Sequence, residues 1–285
     1  MEKIARFAIW AVGRFSFPTV RRMGRLLGIV LFLCARARRR TALDNLELAY
    51  GDELDPSEKR RIAQASFINL VTLGLEFCWM RSNRLPPDQE VRVLNPEVLR
   101  KSVDEGQGVI LLVPHMGNWE ASAKWFTEQG YVTHAVTRKQ KQEWVTRIVR
   151  ETRQAMGTRE IDKRNALRPV LAALRRREIV LMLIDQYASK DSVEVRFFGK
   201  PARTAASVAL LAAKTGCNVQ VACCFRFPDY RFGGVYSDPI ETVVSGDRER
   251  DLVENTQRYV AEIEKYVRKH PEDWMWMHRR WKQPR

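Results

Sequence analysis

His115 follows a short apolar run, residues 108–113, and is itself followed by Met116, Gly117, Asn118, Trp119 and Glu120. Gly117 permits a tight turn, and Asn118 can cap a helix that starts there. Glu120 then falls in the first helical turn, where the chain folds back toward His115. A carboxylate bonded to one imidazole nitrogen fixes the tautomer and raises the basicity of the other. That pairing would let His115 take a proton from an alcohol, a step worth roughly 10²–10⁴-fold in rate. The same residues admit a plainer reading: a histidine satisfied at a strand end, and a glutamate favoured by the helix dipole. Spacing alone leaves both open.

Two other apolar runs end in polar residues. Residues 132–136 lead into Thr137, Arg138 and Lys139, and residues 179–184 lead into Asp185 and Gln186. Ligands of open α/β sheets bind outside the carboxyl ends of the strands, so a histidine, a basic pair and a carboxylate could share one rim. Other signatures are missing. The chain has no Gly-x-Ser-x-Gly elbow, no Walker loop and no His-Glu-x-x-His. Gly106-Gln107-Gly108 lacks a third glycine and precedes its strand, which makes it a turn. With no activated Ser or Cys beside His115, direct transfer to an acceptor is favoured over a covalent enzyme intermediate. The four histidines, at 115, 134, 270 and 278, lack ligand-spaced partners, so no metal site is expected. Five cysteines with no regular spacing read as buried thiols in a reducing compartment.

The elements that must position these residues are legible in outline. Asp55-Pro56-Ser57-Glu58 opens a long amphipathic helix to about Met80, with Asp55 as N-cap and Pro56 at the first helical position. Pro86-Pro87 ends that part. Strands at 109–113, 132–136 and 179–184 then alternate with helical patterns at 119–128, 143–155 and 166–176. An Ala-rich helix is expected over 204–214, an antiparallel strand pair over 219–227 and 231–238 with its turn at 228–230, and a last helix over 247–269. This alternation predicts an α/β fold: a central, mostly parallel or mixed sheet flanked by helices, with an N-terminal helical membrane-anchoring segment. The division expected is 1–38 as membrane-associated helices and 39–285 as the α/β domain, itself a helical lead-in over 39–85 and a core over 86–285. If residues 274–281 form a strand, Trp274, Trp276, His278 and Arg280 share one face. Arg279 and Arg280 are then candidates for bidentate phosphate contacts, or the segment is a core strand edged by basic residues.

The charge is unevenly spread. The chain has 285 residues and 49 Lys+Arg against 34 Asp+Glu, a net charge of +15. Residues 1–40 hold ten Lys/Arg and one acid, and residues 274–285 hold four Arg/Lys and no acid, which leaves the body near neutral. That distribution argues against a surface that tracks nucleic acid, and with it against a basic RNA- or membrane-binding scaffold without catalysis. The longest clean apolar run near the start, residues 26–35, is too short for a span, which needs about 20 residues. Trp10, Phe15, Phe17 and Phe32 among arginines instead suggest helices lying in a membrane interface. Packing of those helices on the body is the alternative.

The segment ending His-Met-Gly-Asn-Trp-Glu, residues 115–120, resembles the His-x4-Asp/Glu motif of the glycerolipid acyltransferase superfamily, and more narrowly the lipid A late acyltransferases (lauroyl/myristoyl transferases). Four further stretches are similar: Arg39-Arg40 with Asn45-Leu46-Glu47-Leu48, Arg164-Asn165-Ala166-Leu167-Arg168, Asp185-Gln186, and Trp274-Met275-Trp276-Met277-His278-Arg279-Arg280-Trp281-Lys282. They run in the family's order from about residue 5 to 283. Met-Gly-Asn-Trp also resembles the related mannosylated-phosphatidylinositol acyltransferases.

The resemblance implies an enzyme of the cytoplasmic face of a bacterial inner membrane. It would move a fatty acyl chain from acyl carrier protein, or acyl-CoA, to a hydroxyl of a lipid A precursor or another glycolipid, with no further cofactor. It casts His115 as base and Glu120 as its partner, and matches Arg164, Asp185 and Arg138 to the site region. Asn118 stands within the motif as a substrate-side candidate.

Overall fold

Residues 109–112, Val-Ile-Leu-Leu, are all buried, the pattern of a strand covered on both faces. In the computed structural model, which describes residues 1–83, 91–106, 108–227 and 232–282, this strand lies at the centre of a seven-stranded sheet. The strands are β1 (Arg92–Val93), β2 (Val109–Leu112), β3 (Thr133–Thr137), β4 (Arg159–Asp162), β5 (Ile179–Met182), β8 (Asn218–Arg226) and β9 (Phe232–Tyr236). Their order is β1-β9-β8-β2-β5-β3-β4. The run from β8 to β4 is parallel, β9 turns back antiparallel on β8, and β1 is parallel to β9. The expected fold class, α/β with a mostly parallel sheet between helices, is the one observed.

Alternation along β2 feeds two cores. Ile110 and Leu112 face the larger one, while Val109 and Leu111 face the other with Leu99, Ala123 and Phe126. The second core is covered by α5 (Pro96–Glu105) and α6 (Trp119–Glu128), and the larger one by α8 (Leu167–Arg175), α9 (Ser207–Thr215) and α10 (Arg248–Lys269). A separate hairpin, β6 (Ser192–Phe197) and β7 (Lys200–Ala205), packs against α10. Its turn residues Phe198 and Gly199 both have positive φ, 52° and 69°, which matches the twist of a two-residue hairpin. The Ala-rich stretch therefore divides where a single helix was expected. Thr204 and Ala205 complete the β7 ladder, and the helix starts only at Ser207. β4 escapes an apolar-run reading because it is an edge strand with the sequence Arg-Glu-Ile-Asp.

The N-terminal quarter is helical: α1 (Glu2–Val12), α2 (Phe17–Cys34), α3 (Arg36–Tyr50) and α4 (Pro56–Met80). Asp55 caps α4 as expected, its Oδ1 accepting from the Ser57 and Glu58 amides. By length and composition α4 could cross a membrane, yet half of its apolar stretch is buried within the protein. Gly24 and Gly28 of α2 leave no room for a Cβ against Thr72 and Ile68 of α4, so the two backbones approach closely. This turns Leu26, Leu27, Val30, Leu31 and Leu33 outward. The proposed boundary at Pro86-Pro87 and the turn at 228–230 lie outside the described residues.

The C-terminal stretch is not a strand. After one isolated bridge between Trp274 and Met116 it runs through turns. Trp274, Trp276, Met277, Arg280 and Trp281 are all buried, which no two-residue alternation would produce.

Candidate active site

The pairing of β2 with β5 sets the site. Leu112 is in register with Met182, and His115 and Asp185 each lie three residues further on. Two parallel neighbours of equal extension thus deliver an imidazole and a carboxylate to the same point. His115 Nδ1 is 2.8 Å from Asp185 Oδ1, and the His115 amide donates to Asp185 Oδ2 at 2.8 Å. The Trp274 indole N–H donates to the same Oδ2, also at 2.8 Å. Burial pushes the Asp185 carboxyl up, but the facing His115 and these three hydrogen bonds outweigh it and hold it well below the usual carboxylate range. A carboxylate on Nδ1 places the ring proton there and leaves the Nε2 lone pair for a reactant. The His115 side chain keeps 19% of its surface exposed while that of Asp185 keeps 1%, so the dyad opens outward on the histidine side only.

The expected His115–Glu120 bond is not formed. Glu120 accepts from Arg153 of α7 (Glu143–Ala155), at 2.6 Å from Nη2 and 3.1 Å from Nε, and from the Trp119 indole at 3.2 Å. Arg153 also reaches Glu160 of β4 at 2.8 Å. Burial pulls the Arg153 guanidinium down, and the two carboxylates outweigh it, leaving it above its usual value. The cause lies in the loop. Gly117 has φ of +56°, a sharp left-handed turn between the two motif residues, and a Cβ there would collide with the Cys224 carbonyl, so the position needs glycine. The first turn of α6 then faces α7 instead of β5. Trp119 closes the gap, with its ring edge-on to His115 at 5.2 Å.

Asn118 is fully buried and both ends of its amide are occupied. Oδ1 caps α6 by accepting from the Ala121 amide, and Nδ2 donates to Glu76 at 2.8 Å. It therefore holds the loop and offers nothing to a substrate. Arg280 is also fully buried, donating to the Arg203 carbonyl at 2.7 Å and the Thr204 hydroxyl at 2.6 Å, which removes it from the phosphate-binding candidates. Burial pulls its guanidinium down to about 10. Arg279 is exposed. Arg138 follows β3 and Arg164 follows β4, both exposed and on the carboxyl edge of the sheet that carries His115. Arg164 pairs with Asp162 at 2.9 Å.

Residues beyond the motif complete the site. Glu76 of α4, fully buried, accepts from Arg226 at 2.9 and 2.7 Å, from Arg21 at 2.9 Å and from Asn118. Asn69 donates to the carbonyls of Gly117 and Asp273 at 3.2 and 2.8 Å. The segment 273–275 clasps the histidine loop: Gly117 donates to the Asp273 carbonyl and Met275 to the His115 carbonyl, both at 3.0 Å. Ser66 and Asn45 in turn bond the carbonyls of Trp274, Trp276 and His278. The signal for these residues is present in the sequence, because Ser66, Asn69 and Glu76 are polar positions on the face of α4 that carries Ile62 and Leu73.

An α/β sheet whose central strand ends in a histidine oriented by a buried carboxylate forms the candidate site, and family comparison gives the class of protein that carries it. Residues 4–283 match the family model described as bacterial lipid A biosynthesis acyltransferase. The chain belongs to that family and is an acyltransferase. It is 26% identical over 214 residues to a phosphatidylinositol mannoside acyltransferase of Mycolicibacterium smegmatis, covering 71% of this chain and 68% of that one. The Mycobacterium tuberculosis enzyme of the same description is 26% identical over 180 residues, 62% of this chain and only 55% of that one. The lipid A biosynthesis lauroyltransferase of Escherichia coli K12 is 24% identical over 287 residues, covering 96% of this chain and 89% of that one.

Proposed function

We propose that the protein transfers a fatty acyl chain from a thioester donor, acyl carrier protein or acyl-CoA, to a hydroxyl of a lipid A precursor. The His115–Asp185 dyad carries this reading. His115 Nε2 takes the proton of the acceptor hydroxyl as its oxygen attacks the thioester carbonyl. The tetrahedral adduct then collapses, the C–S bond breaks, and the imidazolium returns the proton to the departing thiolate. Asp185 orients the ring and balances its transient charge. Cys223 and Cys224 do not fit the role of an acyl carrier, because both are buried, and burial pushes the Cys224 thiol up to about 11. Glu120 acts through α6, holding Trp119 against His115. The exposed guanidiniums of Arg138, Arg164 and Arg279 suit the phosphates of the acceptor or the acidic surface of a carrier protein.

The reading includes attachment to the cytoplasmic face of the inner membrane. Ile4, Phe7 and Trp10 of α1 and Leu26 and Val30 of α2 are 74%, 66%, 55%, 65% and 54% exposed. Arg14, Arg22 and Arg25 lie among them, and each cation near an anionic leaflet adds about 1 kcal/mol. Flotation with anionic vesicles should fail for Leu26→Glu/Val30→Glu. Undiminished flotation would remove this part of the reading.

The catalytic part is tested by acyl transfer from acyl carrier protein and from acyl-CoA in membranes carrying wild type, His115→Ala or Asp185→Asn. Near wild-type turnover by both variants would overturn it. The match to the mannoside enzymes favours a second acceptor, a phosphatidylinositol mannoside. Lipid mass spectra with and without the gene separate the two: one acyl chain lost from lipid A supports the first, and one lost from a mannolipid supports the second.

A further inference from the structure

Asp185 has to present one oxygen to His115 Nδ1, and a carboxylate rotates easily about its last side-chain torsion, which is broad and roughly two-fold. Oδ1 faces the imidazole, while Oδ2 takes the His115 amide and the Trp274 indole N–H. The indole is a rigid donor. Trp274 is 1% exposed, its ring is edge-on to Trp276 at 4.7 Å and packs against Phe197 at 5.5 Å and Trp281 at 6.4 Å. Its backbone is fixed from two further sides, by the bridge to Met116 and by the Ser66 hydroxyl on its carbonyl.

We infer that Trp274 is a positioning residue of the acyl transfer, using its indole N–H to hold the Asp185 carboxylate in the rotation that aims Oδ1 at His115 Nδ1. This rests on the reading of His115 as the base. The indole does not touch substrate. It acts by withholding rotational freedom from Asp185 and by taking up part of the carboxylate's charge. Without that N–H, more negative charge is left facing the imidazole, which favours the protonated ring.

The test compares Trp274→Phe with Trp276→Phe in the full-length, membrane-bound protein. Trp276 is an equally buried tryptophan whose N–H goes to the Pro271 carbonyl at 2.6 Å and does not touch the dyad. Trp274→Phe should lower kcat by roughly 10- to 100-fold, the usual cost of losing a group that orients a catalytic ligand, with KM little changed and the acid limb of the kcat profile moved to higher pH. Trp276→Phe should lose stability with the acid limb in place. Placing 3-benzothienylalanine at position 274 keeps the shape and packing and deletes only the N–H, so it provides the same readout if phenylalanine prevents folding. Wild-type kcat and an unmoved acid limb in that variant would overturn the assignment. His115→Ala, assayed alongside, reports separately on the base itself: activity retained there defeats the underlying reading, whatever Trp274 does.

Discussion

Arg153 holds Glu120 at 2.6 Å, so the second residue of the His-x4-Glu motif is tied to α7 and not to the histidine five positions before it. The two motif residues are therefore joined through structure. Glu120 anchors the helix that carries Trp119, and Trp119 lies against the imidazole.

Glu120→Gln should destabilise the fold, because it leaves the largely buried Arg153 guanidinium one carboxylate short. Breaking such a pair costs up to about 3–5 kcal/mol, and the remaining bond to Glu160 places this one at the low end. Urea unfolding of Glu120→Gln, Arg153→Met and the double variant should show the double losing less than the sum of the singles. Simple additivity would mean that the pair is not coupled.

Asp185→Asn should act differently. An amide that turns its N–H toward Nδ1 forces the ring proton onto Nε2, the wrong tautomer for a base. A loss of roughly 10³–10⁴-fold in kcat is expected, as for other oriented histidines. Single-turnover acyl transfer with a saturating donor measures it, and a loss smaller than that of Glu120→Gln would contradict the assignment of Asp185 as the orienting group.

Burial raises the Asp273 carboxyl from 3.8 to about 7, against the opposing pull of Arg226. Between about pH 4 and pH 7 the folded protein keeps a proton that the unfolded chain has released, so stability falls as pH rises through this window. Asp273→Asn keeps the acceptor for the Arg226 amide and removes the ionisation. Its Tm advantage over wild type should grow from pH 4 to pH 7 and level off above. A difference that does not vary with pH would show that Asp273 is not protonated in the fold.

Arg280→Lys should lower Tm without a selective rise in the KM for the acceptor. Lysine puts one ammonium nitrogen where Nη1 and Nη2 separately reach the Arg203 carbonyl and the Thr204 hydroxyl, and a buried acceptor left unpaired costs about 1–3 kcal/mol. Arg279→Ala, at the exposed neighbour, should show the converse: an unchanged Tm and weaker acceptor binding, measured as KM over a range of salt concentrations.

Much of this site can be read along the chain. The apolar run before His115, the capping asparagine, the glycine at the turn and the run that ends at Asp185 all follow from local rules of periodicity and backbone freedom. The helix α4 and its Asp55 cap do too. Residues 274–281 mislead, because alternating tryptophans suggest a strand while burial from every side makes a clasp. Arg280 illustrates the same limit: its type suits a phosphate, and only the packing of β7 and the clasp around it shows that it is buried, with both terminal nitrogens donating within the protein.

By itself, then, the sequence determined the α4 helix, the central strands β2, β3 and β5 and the polar residues that follow them, because those depend on neighbours within a few positions; the edge strand β4, the β6–β7 hairpin and the C-terminal clasp came only from the fold. It also carried the family, through motifs spread in order along nearly the whole chain. The tertiary structure alone decided which carboxylate meets His115. Strand order is a long-range property, settled by how helices on both faces of the sheet pack, and that order makes β5 the neighbour of β2. In register, Asp185 arrives from 70 residues away in the chain at 2.8 Å, while Glu120, only a turn of helix beyond the loop, points elsewhere.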